Sequence, residues 1–393
     1  MNSVANLSLA AQSSIGEIAF IDLKAQQRRI RSNIENRLTA VLDHGRYIGG
    51  PEIEELEALL AERTGAVGAV ACASGTAALI APLLARGLCQ GDAVFLPAFT
   101  YNATANAILL TGAAPIFVDI DPDTFVLCPH SLKKAIARIK AEGRLTPRAV
   151  IPVDLFGLPA DYDALRVIAE RENLFLFADG AQGFGGQMHD KWVGNLAPAT
   201  AVSFFPGKSL GAYGDAGAML TQDEADLEEW TSIRWHGTEE TRKDSIRVGF
   251  NGRMDSFQAA VLLEKLAIFD DELQARKHIA SIYHRRLGDK VRCQASRPGT
   301  QSGYGYFSIC VSKRDAMIEH LKQRNVPTAI YYRNPLHKMP AFAAFAPSSD
   351  NENELRHTDK VADEILALPM HPYLSERQAE YICDMVEEAL NLF

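Results

Sequence analysis

The chain has 393 residues, 47% hydrophobic and 23% charged, enough to bury the core of one enzyme-sized unit with an appendage or of roughly two or three domains. Its formal net charge of −9 excludes nucleic acid and an acidic membrane surface as partners, because phosphate groups require a basic footprint. The scattered cysteines (Cys72, Cys89, Cys128, Cys293, Cys310 and Cys383) include no Cys-x-x-Cys pair and no His/Cys spacing that holds zinc, so they imply no metal and read as buried thiols of a reducing compartment.

The opening stretch MNSVANLSLAAQSSIGE lacks a basic segment before its short apolar run, which predicts a frayed tail over residues 1–19 in place of a signal peptide. No segment approaches the ~18 uninterrupted apolar residues of a membrane span, so a soluble cytoplasmic protein is expected. From Asp22 to His44 apolar positions recur at helical spacing and stop at Gly45; PEIEELEALLAER, with proline first, reads as a second helix. Short β-rich runs then alternate with helices. VGAVAC leads to a helix from Thr76, AVFLP to one near Asn102, and APIFVDI, RAVIPVDLFG and NLFLFADGA follow. That rhythm predicts βαβ crossovers and a mostly parallel sheet covered on both faces. After TAVSFFPGK and GAMLTQDEADLEEW, one long amphipathic helix is expected from Ser256 past Leu273, leading into a smaller α+β part with YFSICVS, VPTAIYY and a closing helix over ERQAEYICDMVEEALNL. The expected division is a large α/β domain over 20–270 and a small domain over 271–393.

Lys208 stands out within SFFPGKSLGAYGD. Gly207-Lys208-Ser209 matches the tail of a phosphate-binding P-loop, but that loop requires a glycine where this chain has Val202, which removes the reading. A solvated turn lysine and an amine nucleophile remain. In open α/β sheets ligands gather at the carboxyl ends of strands, and three other candidates lie at such ends. Gly75 and Thr76 in ASGTAAL form either an ordinary helix start or a phosphate site at the positive end of a helix. Asp179 closes the apolar run FLFAD, where it caps a turn or faces a cation held there. Tyr101 in PAFTYNAT is a strand-end aromatic or a stacking surface. Together with Ser203 these suit pyridoxal 5'-phosphate, which requires an imine-forming lysine, an acid beside its pyridine nitrogen and a phosphate pocket.

The ordered set FIDLKAQQ, YIGGPEIEELE, ASGTAAL, PAFTYNAT, VDIDPDTF, DGAQGFGG, SFFPGKSLGAYGDAGAML, VGFNGRMDSFQAAVLLEKL and LPMHPYL resembles the DegT-type sugar-nucleotide aminotransferases. These belong to the aspartate-aminotransferase-like fold-type I pyridoxal phosphate enzymes. The likeness covers nearly the whole chain. It implies that Lys208 is the Schiff-base lysine, Asp179 the partner of the pyridine nitrogen and Gln182 the amide against the ring hydroxyl. It also implies that Tyr101 stacks on the ring and that Gly75, Thr76 and Ser203 hold the phosphate. Asn251 matches a phosphate ligand supplied by the neighbouring subunit, so a homodimer with shared active sites is implied. The family usually has Glu-Asp-Ala-Ala-Gln where this chain has Ala178-Asp179-Gly180-Ala181-Gln182; the Asp and Gln are kept.

The implied reaction moves an amino group from L-glutamate, through the pyridoxamine 5'-phosphate form, to a keto-sugar nucleotide. The nearest subgroup aminates the 3-keto position of a UDP-N-acetyl-hexuronic acid for surface polysaccharide. Within it Arg253 matches a substrate-facing arginine, with a surface ion pair as the alternative, and Tyr331 and Tyr332 fall at substrate positions. The subgroup has His-Tyr where this chain has Tyr331-Tyr332, followed by Arg333. The alternatives are a 4-keto or dTDP-3-keto hexose nucleotide aminotransferase and a catalytically silent regulatory protein; Lys208 also stands where a related dehydratase has histidine.

Overall fold

Helix α1 (Leu23–His44) starts where the Asp22 carboxylate accepts from the Ala25 amide at 2.9 Å and stops at Gly45, whose φ of 69° is left-handed. Pro51 opens α2 (Pro51–Thr64), where its missing N–H costs nothing. The computed structural model describes residues 15–239, 241–347 and 354–392, so most of the expected tail, residues 1–14, lies outside the described residues.

The chain then alternates through β1 (Gly68–Cys72), α3 (Gly75–Ala85), β2 (Asp92–Pro97), α4 (Asn102–Leu110), β3 (Ala114–Val118), α5 (Pro129–Glu142), β4 (Thr146–Val150), α6 (Tyr162–Glu172) and β5 (Phe175–Asp179). A short hairpin, β6 (Gln187–Met188) and β7 (Lys191–Trp192), precedes β8 (Ala199–Ser203), β9 (Gly217–Thr221) and α7 (Glu224–Arg234). Seven strands form one sheet in the order β1-β9-β8-β5-β4-β2-β3, and only β9 runs against its neighbours. The mostly parallel sheet is therefore as expected. Because side chains alternate along a strand, Val94 and Leu96 of β2 enter one core with Phe177 of β5, while Phe95 enters another with Leu176 and Ala178. A sheet buried on both faces needs apolar residues at successive positions, which explains the unbroken FLFA run.

Helices α8 (Ser256–Ala267) and α9 (Phe269–Leu287) replace the single long helix expected from Ser256 past Leu273. The chain breaks at Ile268 (φ −106°, ψ 3°), and Asp270, Asp271 and Glu272 supply the negative charge that favours a new helix N-terminus there. The expected boundary at 270/271 falls in the first turn of α9.

Beyond it come β10 (Arg292–Cys293), β11 (Thr300–Gln301), β12 (Phe307–Cys310), α10 (Arg314–Gln323), α11 (Arg356–Glu364), β13 (Ile365–Leu368) and α12 (Glu376–Leu392). Strands β10, β12 and β13 form a separate antiparallel sheet, and its core draws on Ile279 and Tyr283 of α9, Phe307, Leu366 and Ile382. Ile18 is buried in the same core, and the Gln378 side chain donates to the carbonyls of Ile15 and Glu17. Residues 15–19, read as tail, are thus packed chain. VPTAIYY contributes only a bridge from Ala329 to Ala367, since Pro327 has no N–H for a ladder. All six cysteines are free, but only Cys72, Cys310 and Cys383 are buried; Cys89 is exposed and Cys128 and Cys293 are half-buried, which corrects the reading of six buried thiols. No helix among the described residues is long and apolar enough to cross a membrane.

Candidate active site

The carboxyl ends of β1, β2, β5 and β8 open onto one cavity of about 410 Å³, within the range of small-molecule sites. At the end of β5, Asp179 is 4% exposed and held from both sides: the Thr104 hydroxyl donates to Oδ2 at 2.7 Å and the Ala181 amide to Oδ1 at 3.1 Å. Burial pushes its carboxyl above the usual range, while those two donors and the Lys208 cation pull it back. Lys208 follows β8 in a turn closed by its own amide donating to the Phe205 carbonyl at 2.8 Å. The amine is brought down from 10.5 to about 8, chiefly by burial, and Asp179 opposes the shift. A carboxylate and an amine thus share one cavity away from water, the carboxyl raised from its usual range and the amine lowered to about 8.

The phosphate candidates sit where α3 meets β8. Ser74, unremarked in the sequence, is the helix cap: its hydroxyl accepts from the Ala77 amide at 3.1 Å. The helix begins at Gly75, one residue before the expected Thr76. First-turn amides have no acceptor within their own helix, and Gly75 and Thr76 present theirs at the cavity wall beside Ser203. A Cβ added to Gly75 would lie 2.6 Å from the Ser203 Cβ, so only glycine lets the helix approach the strand this closely. An anion-sized cradle at a helix N-terminus, with a hydroxyl beside it, fits a phosphate.

Gln182 is fixed at both ends of its amide. Its Oε1 accepts from the Phe156 amide at 2.9 Å and its Nε2 donates to the Tyr332 hydroxyl at 2.7 Å. Tyr101, 58% exposed, leans toward Tyr332 with ring centroids 6.1 Å apart, and Tyr331 lies 5.8 Å from Tyr332. Nine of the residues read from the sequence therefore line one cavity: Gly75, Thr76 and Ser203 at one end, Asp179 and Lys208 in the middle, and Tyr101, Gln182, Tyr331 and Tyr332 around them.

Asn251 and Arg253 are not among that lining. Asn251 is exposed and bridges to Trp235, and the Arg253 guanidinium stacks over the Trp235 ring at 4.7 Å. Ser74, Thr104 and Tyr306 are among the site residues that escaped the sequence reading. Thr104, in the first turn of α4, carries a legible signal, because a hydroxyl just after a strand-end loop lies at the sheet's carboxyl edge, where Asp179 ends β5. Tyr306, tilted against Tyr331 with ring centroids 4.5 Å apart, directly precedes β12 of the second sheet and has no local signal.

A parallel-sheet α/β fold that sets a desolvated amine against a buried carboxylate beside an anion cradle defines an enzyme of amino-group chemistry. The chain belongs to the DegT/DnrJ/EryC1/StrS aminotransferase family, whose model matches residues 28–387. It is 41% identical over 369 residues, 93% of this chain and 98% of the relative, to a UDP-2-acetamido-2-deoxy-3-oxo-D-glucuronate aminotransferase of Pseudomonas aeruginosa. A DegT DnrJ EryC1 StrS aminotransferase from Brucella abortus superposes with a TM-score of 0.92 at 43% identity, covering 95% of this chain and 99% of that one. NtdA of Bacillus subtilis, solved with bound cofactor PMP, superposes with a TM-score of 0.83 at 29% identity over 95% of this chain and 83% of its own.

Proposed function

We propose that the chain binds pyridoxal 5'-phosphate at Lys208 and transfers an amino group from L-glutamate to a UDP-linked keto sugar, with the 3-keto position of a UDP-N-acetyl-hexuronic acid as acceptor. The observation that carries the reading is the Asp179–Lys208 pair, desolvated together on one cavity whose far end is the α3 cradle. Bound there, the cofactor supplies an electron sink for the carbon that loses its proton. The protein supplies the rest. The Gly75 and Thr76 amides and the Ser203 hydroxyl hold the phosphate, and the Tyr101 ring offers a face for stacking. Asp179 keeps its negative charge against a cation in the cavity, sustained by Thr104 and Ala181. Lys208 Nζ, titrating near 8, accepts the donor's proton and returns it, since a base tuned close to working pH does both.

The acceptor assignment rests on likeness to the Pseudomonas relative, and Arg253 is the residue assigned to the sugar carboxylate through paired hydrogen bonds. Arg253 lies outside its own chain's cavity beside exposed Asn251; a partner subunit's cavity gives both a role, so the active species is a homodimer. The free thiols suit the cytoplasm. Borohydride reduction of the loaded protein followed by peptide mapping tests the core of the reading: the label belongs on Lys208, and a label elsewhere or none overturns it. Turnover of UDP-, dTDP- and GDP-linked 3-keto and 4-keto sugars with glutamate separates the acceptors. In that assay Arg253→Ala lowers turnover of a uronate far more than of a neutral hexose; equal losses remove Arg253 from carboxylate recognition.

A further inference from the structure

One buried cation has no part in the chemistry above. Lys265, on α8, is 1% exposed, a rare state for a lysine. Its neighbours along α8, Leu262 and Leu263, and the residues flanking Gly211, Leu210 and Ala212, belong to one apolar core, so an apolar side chain would suit the position without desolvating a charge. What the ammonium holds is specific. Its Nζ donates to the Gly211 carbonyl at 2.5 Å and lies 4.3 Å from the centroid of the Tyr213 ring, a cation–π contact. Glu272 is the acid that acts on it, and that carboxylate already accepts from Gln26 and Tyr373.

The loop it grips is the one that carries Lys208. Gln258 stands two turns before Lys265, on the same face of α8, and its Oε1 accepts from the Tyr213 amide at 3.0 Å. The gripped limb folds back on the start of the loop: the Ala212 amide donates to the Phe204 carbonyl at 2.8 Å, and a Cβ on Gly211 would lie 2.5 Å from the Pro206 carbonyl oxygen. Moving residues 211–213 therefore moves residues 204–208. We propose that Lys265 is a positioning residue for Lys208: its ammonium, with the Gln258 amide, clamps the Gly211–Tyr213 limb and so fixes where the reacting amine stands. The inference rests on Lys208 being the reacting amine of the proposed function. Burial brings Lys265 down to about 8, in keeping with a charge retained against its own desolvation.

The test is Lys265→Met compared with wild type and Lys265→Arg. Without cofactor, amide exchange across residues 208–213 is expected to quicken about tenfold or more in Lys265→Met and to recover toward wild type in Lys265→Arg, because a hydrogen bond to a charged group has been removed and then replaced. Competitive labelling of the Lys208 amine reads the same loosening as a titration displaced from about 8 toward 10.5. In the loaded enzyme kcat falls about tenfold while KM for both substrates moves less than about twofold. A lowered melting temperature with unchanged loop exchange and unchanged Lys208 titration makes Lys265 a core residue only and overturns the proposal. Should Lys265→Met not fold, Gln258→Leu removes the other grip, and unchanged exchange at 208–213 in that variant overturns it equally. Wild-type protein that fails to transaminate sinks the proposed function instead, and leaves the exchange and labelling readouts to judge the clamp alone.

Discussion

Lys208 and Asp179 owe their chemistry to one cause, the removal of water from both, and each limits the shift in the other. A lysine whose pKa is lowered on folding carries a cost below its folded value. The unfolded chain holds a proton that the folded one has released only between about 8 and 10.5, so in that window the contribution of Lys208 to stability rises with pH. The difference in urea unfolding free energy between apo wild type and Lys208→Met should therefore shift in favour of wild type across that window; a flat difference means that the amine is not desolvated. Thr104 offers a second test. Thr104→Val keeps the shape but removes the 2.7 Å donor to Asp179, and a hydrogen bond to a charged group contributes about 1.5–3 kcal/mol. Turnover should drop roughly tenfold or more and the melting temperature fall by about a few degrees, and unaltered turnover would show that the carboxylate needs no such support. Asp179 was legible from the sequence because an acid ending an apolar strand needs a reason. Tyr306 was not, since its place at the cavity comes from packing against Tyr331 across a long stretch of chain.

At the scale of elements, the site depends on how closely α3 approaches β8. Gly75 and Ser203 belong to chain segments far apart in sequence, yet the contact between them leaves no room for a methyl group. Gly75→Ala must move the helix or the strand, and such overpacking typically costs about 1–3 kcal/mol. The expected result is a lower melting temperature together with weaker binding of the phosphate-bearing cofactor, read by equilibrium dialysis. Intact cofactor affinity would detach the cradle from the phosphate. Strand and helix rhythm was legible here because both periods are written in local apolar spacing. Two features were not: the break at Ile268, which interrupts a continuous amphipathic pattern for electrostatic reasons, and the thin pairing around Ala329, where strand-like residues follow a proline.

For the whole molecule, the question is what completes the cavity. Tyr101 and Phe205 line it and are nevertheless 58% and 56% exposed, and Val248, in the segment just before Asn251, is 79% exposed. Exposed apolar side chains beside a site suit contact with another chain or a ligand, and the proposed isologous dimer would bring each chain's 248–253 segment to the other's cavity. Asn251 was readable as a shared residue only through family likeness, because a single chain's sequence does not say whose cavity a side chain serves. Subunit complementation tests the arrangement. Lys208→Ala and Asn251→Ala are each expected to be nearly inactive alone. In a mixed dimer with shared sites, both lesions fall in one cavity and the other is whole. Random remixing of equal amounts should thus restore about a quarter of wild-type activity. If each cavity is served by its own chain, every site in the mixed dimer keeps one lesion and remixing restores nothing. Copurification of the two variants through different affinity tags establishes that dimers have exchanged, so an absence of recovery in exchanged dimers places Asn251 outside the partner's site.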